Sequence, residues 1–186
     1  MVGTTSETLK EDLIRAIPNM RAFAISLCGN PDRADDLVQE ALTKAWSKLD
    51  TFEEGTNLKA WLLTILRNFY YSEFRKRRRE VADSEGEHAA RLACHPAQYG
   101  HVDMAEMNRA LNELPPDQKE ALLLVSAEGF SYEEAAEICD CAVGTIKSRV
   151  NRARKKLSEI MHVADANEFG PDHVSEAVLV PPAGMA

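Results

Sequence analysis

Lys147, Arg149, Arg152, Arg154, Lys155 and Lys156 all fall within the short stretch "GTIKSRVNRARKK", Gly144 to Lys156, which holds no acid. Cations at that density do one kind of chemistry well. They neutralise phosphates, and arginine adds a planar fork of donors that matches base edges. Asn151, in their midst, supplies a further donor to base edges. The setting makes the cluster informative, because the whole chain carries a formal net charge of -8. A second basic block, "RNFYYSEFRKRRRE" at 67–80, interleaves six basic and two acidic residues with Phe69, Tyr70, Tyr71 and Phe74. Residues 31–54 and 114–142 are acidic, with seven carboxylates each against three and one basic residues. A general polyanion binder spreads its positive charge. Two confined basic blocks in an acidic chain point instead to two local nucleic-acid contacts, with acidic surfaces turned toward something else.

The first block is positioned by "SYEEAAEICDCAVGTIKSRVNRARKKL". Ser131 and Glu134 form an S-x-x-E capping box, which starts a short helix running to about Ile138. "CDCA" makes a turn, and a second helix starts near Val143. Val143, Ile146, Val150, Ala153 and Leu157 recur at spacings of 3, 4, 3 and 4, so they pin one face inward. Lys147, Asn151, Arg154 and Lys155 then point away, with Ser148, Arg149 and Arg152 beside them. A helix dipole also favours basic residues near a C-terminus. The coincidence of an acid-free face with a capped two-helix turn favours a helix made for the major groove.

The second block lies on a long helix from about Leu58 to Arg79, whose buried face is predicted as Leu58, Trp61, Leu62, Ile65, Leu66 and Phe69. Phe69, Tyr70, Tyr71 and Phe74 cannot all face one core. Two readings account for them. Either exposed rings stack on unpaired bases while cations hold the backbone, or the rings are core and the basic run is a solvated helix end. The preceding loop, Asp50 to Asn57, offers Thr56 and Asn57 as donors to an extruded base.

Before this loop, Asn30 as N-cap and Pro31 at the first position open a helix with an apolar stripe of Ala34, Leu37, Val38, Ala41, Leu42, Ala45, Trp46 and Leu49. Asp32, Asp35, Asp36, Gln39 and Glu40 line its opposite face. Acids in a first turn complement the helix dipole, which accounts for Asp32 and less well for Glu40. An earlier helix, roughly Thr8 to Leu27, completes a three-helix unit. Val81 to His101 reads as a linker and His162 to Ala186 as a flexible tail. Pro115 and Pro116 interrupt the chain and open another helix, with Gly129 suited to its C-terminal cap.

At 186 residues and 45% hydrophobic composition, the chain holds one ordinary domain or two small ones. No apolar run approaches the roughly 18 residues of a membrane span, and the N-terminus lacks the pattern of a signal peptide, so a cytoplasmic location is expected. Four cysteines are too few and too irregular for a disulfide framework. Cys139 and Cys141 lack the spacing of structural zinc ligands, and His88, His95 and His101 have no matched acid or nucleophile. No catalytic residue, metal or cofactor is expected.

Together these segments resemble an extracytoplasmic-function (ECF) sigma factor of the sigma-70 family. "DRADDLVQEALTKAWSKLDTFEEGTNLKAWLLTILRNFYYSEFRKRRR" is similar to region 2, and "LPPDQKEALLLVSAEGFSYEEAAEICDCAVGTIKSRVNRARKKL" to region 4. "FAISLCGNPDRADDLVQEALTKAW" further resembles the EcfG-type subgroup, which runs the general stress response of alphaproteobacteria. The resemblance implies an all-α chain of two small helical domains. Region 2, a three- to four-helix bundle, covers 8–80; a flexible linker covers 81–102; region 4, with its helix-turn-helix, covers 103–161; a tail covers 162–186.

It also implies a division of labour. Asp35, Asp36, Leu37, Gln39 and Glu40 would dock on the β′ clamp coiled coil of core RNA polymerase, with the β flap as a further contact. Thr56, Asn57, Arg67, Asn68, Tyr71 and Arg75 would capture the unpaired −10 element. Thr145, Lys147, Ser148, Arg149, Asn151, Arg152, Arg154 and Lys155 would read the −35 element as duplex. The linker would thread toward the RNA channel. A small helical anti-sigma factor would hold the protein inactive until a phosphorylated response regulator with a sigma-like domain removed it. Many members have Ser-Pro where this chain has Cys141-Ala142, which predicts a weaker cap on the recognition helix. Alternatives are a stand-alone helix-turn-helix regulator, which leaves the aromatic block and acidic helix without a job, and a sigma-like decoy domain, which needs a receiver domain for which this chain has no room.

Overall fold

The computed structural model describes residues 3–53, 55–83 and 101–162. Most of the linker and nearly all of the tail predicted above lie outside those residues. Regular structure among the described residues is helical throughout. The chain divides into two compact units, Met1–His101 with Glu137–Asp140, and Val102–Ala136 with Cys141–Ala186.

The first unit is built from α1 (Gly3–Cys28), α2 (Pro31–Ser47) and α3 (Leu58–Asp83), with a single 3-10 turn at Leu49–Thr51 in the predicted loop. Leu13, Met20, Phe23, Ala24 and Leu27 form the inward stripe of α1. Pro18 sits inside this helix, where its missing N–H leaves the Ile14 carbonyl without its usual partner. Ile14 is 65% exposed, so water can take that place. The Asn30 cap on α2 is as predicted: Arg33 N–H donates to Asn30 Oδ1 at 2.9 Å, and Pro31 opens the helix. Ala34, Leu37, Val38, Ala41 and Ala45 are buried behind it. Asn57 caps α3, its Oδ1 accepting from the Ala60 N–H at 3.1 Å. The turn before it uses Gly55 at φ +90, a conformation that favours glycine.

Two apolar assignments are corrected. Trp46 is 58% exposed, with Lys10 Nζ 5.5 Å from its ring centre, because Ala41 and Ala45 already fill the seam that a tryptophan would overpack. Among the described side chains of α3, Leu62, Leu63, Leu66 and Tyr70 are buried, while Leu58, Trp61, Ile65 and Phe69 are half-buried. The first turns of α3 are apolar on several sides, so periodicity alone does not fix which side packs against α1 and α2.

In the second unit α4 (His101–Asn112) leads to α5 (Pro116–Leu122), then a π-type turn at Leu123–Ala127, α6 (Tyr132–Cys139) and α7 (Val143–Met161). Gly129, at φ +75, takes the left-handed cap position after the π turn, and Phe130 N–H closes back on Leu124 O at 3.0 Å. The capping box forms as predicted. Glu134 N–H donates to Ser131 Oγ at 3.1 Å, and Ser131 N–H donates to Glu134 Oε2 at 2.9 Å. Asp140, at φ 51, makes the turn between α6 and α7. Ile146, Val150, Ala153 and Leu157 bury one face of α7, chiefly against α5. Burial on α5 extends to two charged residues that the pattern did not single out, Lys119 and Glu120. Lys119 Nζ donates to Asn112 Oδ1 at 2.8 Å.

Candidate nucleic-acid interface

The face of α7 opposite its buried stripe presents Lys147, Asn151, Arg152 and Lys155, all exposed. Ser148 lies among them. Its Oγ donates to Thr145 O at 2.9 Å and accepts from Arg152 Nη2 at 3.1 Å, which holds Arg152 along the helix surface. Lys147 Nζ lies 5.7 Å from the Tyr132 ring centre. Thr145 is half-buried. Ala142, the N-cap, supplies no side-chain hydrogen bond, so the bare cap predicted for this helix is present.

Arg149 and Arg154 depart from the outward-facing set. Both are half-buried, because at 100° per residue they flank the stripe of Ile146, Val150, Ala153 and Leu157 rather than oppose it. Arg149 Nε is 3.1 Å from Asp117 Oδ2 on α5. Arg154 has Nε and Nη2 buried with no hydrogen-bond partner among the described residues.

In the first unit α3 sorts its aromatics by depth. Tyr70 is core, packed edge-on to Tyr71 at 5.2 Å and stacked with Phe74 at 6.3 Å. Arg33 sits over its ring at 5.5 Å and pairs with Glu73 at 3.1 Å, tying α2 to α3. Tyr71 is half-buried, with the Arg67 guanidinium stacked 4.9 Å from its ring centre. Arg67 Nη1 also donates to Asn68 Oδ1 at 3.4 Å. Asn68, Phe74 and Arg75 are exposed. Arg67, Asn68, Tyr71 and Arg75 therefore share one side of α3. Thr56 and Asn57 are exposed before its N-terminus, where Thr56 Oγ1 donates to Glu53 O at 2.7 Å.

Beside Asn68 lies a cleft of about 280 Å³, lined by Lys44 of α2, by Lys48 at the C-cap just past its end, and by Ile65, Asn68, Phe69 and Ser72 of α3. It joins an apolar floor to two cations, an amide and a hydroxyl. Lys44 and Lys48 escaped the sequence reading because they sit in an acidic stretch. Their i, i+4 spacing across the C-terminal end of α2 was the available signal.

On α2 Asp36, Gln39 and Glu40 are exposed, whereas Leu37 is 1% exposed and belongs to the core. Asp35 is engaged by Arg21 of α1. The hydrogen bond and the adjacent positive charge hold the Asp35 carboxyl below its ordinary range, and the same bond raises the Arg21 guanidinium. The free acidic surface is thus narrower than the sequence suggests.

Comparison with known proteins follows the same partition. A family model described as Sigma-70 region 2 matches residues 13–80, and one described as Sigma-70, region 4 matches residues 104–157. The chain is 57% identical over 174 residues to the ECF RNA polymerase sigma factor EcfG of Rhodopseudomonas palustris, covering 94% of this chain and 96% of that protein. It is 38% identical to the ECF RNA polymerase sigma factor SigC of Mycobacterium tuberculosis, over 67% of this chain and 68% of that one. Among solved structures, the sigma factor RpoE of Bartonella quintana, in complex with the anti-sigma factor NepR, superposes with a TM-score of 0.79 at 56% identity, covering 86% of this chain and 99% of that one.

Proposed function

The chain belongs to the extracytoplasmic-function sigma factors of the sigma-70 family, and on that premise we propose how its surfaces share the work. As such a factor it directs core RNA polymerase to promoters and helps to initiate transcription. It is not itself an enzyme, since the polymerase carries out the chemistry.

Residues 103–161 read the −35 element as duplex. The observation that carries this reading is the outer face of α7 between Gly144 and Lys156, which holds no acid and where Lys147, Asn151, Arg152 and Lys155 stand exposed while Ile146, Val150, Ala153 and Leu157 anchor the other side. Phosphate neutralisation positions such a helix, and Asn151 and Arg152 carry donors to base edges. Residues 8–80 hold polymerase and the opened −10 strand. Asp36, Gln39 and Glu40 face the basic partner surface on the β′ clamp. Thr56, Asn57, Asn68, Tyr71 and Arg75 meet unpaired bases, with Arg67 stacked behind Tyr71. Lys44 and Lys48, beside Asn68, meet the phosphates of the same strand.

The energetics favour binding coupled to melting. Extruding a base costs on the order of a few kcal/mol, and stacking on an aromatic returns about 1–3 per base. Few such contacts leave little surplus, so this factor demands a well-matched promoter. Reconstituted transcription with core polymerase on a promoter library tests the assignment. The expected outcome is initiation from one −35/−10 pair, lost when the α7 face is replaced by alanine. Initiation that survives that replacement would sink it.

A small helical anti-sigma factor controls access to polymerase, and the genes served belong to the general stress response. The support is the likeness to an EcfG factor and to a sigma factor solved with the anti-sigma factor NepR. Co-purification of such a partner from unstressed cells, and its loss under stress, is the check. Among the described residues no helix is long and apolar enough to cross a membrane. With the family's work on promoters, this supports a cytoplasmic location.

A further inference from the structure

We propose that Asp117 is a positioning residue that sets base preference in the −35 element, acting through Arg149. The inference rests on α7 being the groove-reading helix.

Asp117 lies in the first turn of α5, directly after Pro115 and Pro116. Pro115 and Pro116 fix how the chain enters α5, and so place Asp117 in its first turn. Downstream, Lys119, Glu120, Ala121 and Leu122 are buried, and α5 is the main platform under α7. The carboxylate is therefore fixed relative to α7.

Its oxygen Oδ2 meets Arg149 at Nε, 3.1 Å away. The two side chains keep 23% (Arg149) and 44% (Asp117) of their exposure, so the pair sits at the edge of the domain rather than inside it. Held at Nε, a guanidinium keeps its Nη1–Nη2 edge for another planar acceptor pair. Among the described residues that edge of Arg149 makes one soft contact, Nη1 to Cys141 Sγ at 3.9 Å. An edge of this kind matches O6 and N7 of guanine in a major groove. Arg149 stands one helical turn before Arg152 on the same side of α7, beside Ser148.

An unanchored arginine surrenders much of its rotamer freedom on binding. An arginine already held by a carboxylate surrenders less, and only when the base offers acceptors in the right place. Asp117 then sharpens choice more than it strengthens binding. A bare acid near DNA behaves differently: it repels every phosphate equally, and its removal raises affinity for all sequences alike.

The test uses the full chain bound to core polymerase, with initiation scored across a library varied at each −35 base pair. Asp117→Asn keeps the shape and removes the charge. Preference at one base pair is expected to fall roughly five- to tenfold, with the other positions unchanged. Arg149→Lys, which has no fork, is expected to lose preference at that same base pair. In the Arg149→Lys background, Asp117→Asn is expected to add nothing there, a non-additivity that a packing role does not produce. Asp117→Glu, displaced by one methylene but still charged, is expected to fall in between and serves if the asparagine variant unfolds. A uniform rise or fall at all positions, or an unchanged profile, overturns the proposal. If Arg149→Lys is silent while Asn151→Ala or Arg152→Ala changes the profile, this inference fails alone. If no α7 variant changes the profile, the reading of α7 fails with it.

Discussion

Arg21 and Asp35 meet as a two-bonded pair, with Nε 2.6 Å from Oδ1 and Nη2 3.2 Å from Oδ2, joining α1 to α2. The pair sits on the face of α2 that carries the acidic residues, so one of those acids is already answered from within the protein. A basic partner approaching this face meets Asp36, Gln39 and Glu40 first.

The pair has a pH signature. The Asp35 carboxyl is held below its ordinary value by the Arg21 hydrogen bond and charge. A depressed folded-state pKa means that the pair's contribution to stability is complete above the unfolded value, about 3.9, and disappears as pH falls through the lower folded value. Arg21→Ala is expected to return Asp35 to the ordinary carboxylate range in a carbon-13 NMR titration. Near neutral pH the variant is expected to melt almost unchanged, since exposed pairs contribute little.

Polymerase affinity separates surface from support on α2. Asp36→Lys with Glu40→Lys is expected to weaken core binding on the order of tenfold or more at low salt, with melting unchanged. Leu37→Ala is expected to cost about 2–5 kcal/mol of stability, because Leu37 is buried in the first unit. Equal loss of core affinity in a properly folded Leu37→Ala protein would instead make that residue part of the docking surface.

The capping box gives a prediction about stability alone. Ser131→Ala removes the acceptor for the Glu134 N–H and is expected to cost about 1 kcal/mol. For a unit of this size that corresponds to a melting shift of roughly 5 °C, measurable by calorimetry. The −35 preference of molecules that remain folded is expected to be unchanged.

Salt dependence distinguishes the roles on α7. Lys155→Ala is expected to weaken promoter binding by holoenzyme uniformly and to lower the slope of log affinity against log salt by about one. Asn151→Ala is expected to relax preference at a single base pair. The free protein is expected to bind promoter DNA weakly at physiological salt, because its formal net charge is -8. Tight binding in a gel shift without polymerase would count against the division of labour.

The cleft beside Asn68 sets two lysines next to the side of α3 proposed to meet the opened strand. Lys44→Ala with Lys48→Ala is expected to reduce open-complex formation by several-fold while leaving −35 binding intact. Permanganate footprinting of the −10 strand reads this directly. Unchanged footprints would remove the cleft from the interface.

Local signals were legible in the sequence where a few neighbouring residues settle the geometry. Asn30 and Pro31, Ser131 and Glu134, Gly129, and the start of α7 at Val143 are all of this kind, and all stand where the sequence places them. Features set by a second element were not legible. The exposure of Trp46 depends on how closely α1 approaches α2. The choice of Tyr70 over Phe69 as core depends on the rotation of α3. The capture of Asp35 by Arg21, and of Arg149 by Asp117, joins residues far apart in sequence. Even on α7, strict angular bookkeeping places Arg149 and Arg154 on the flanks, a distinction that a simple inward-outward division overlooks.

On α7 the anchors Ile146, Val150, Ala153 and Leu157 share no position with the outward residues Lys147, Asn151, Arg152 and Lys155. On the proposed reading, these eight positions divide the work of holding the helix from that of meeting DNA. Exchange of an outward residue perturbs stability by no more than about 0.5 kcal/mol. If the outward residues choose the promoter, a duplicated copy of this gene can acquire a new promoter dialect in a few substitutions that leave the anchors untouched.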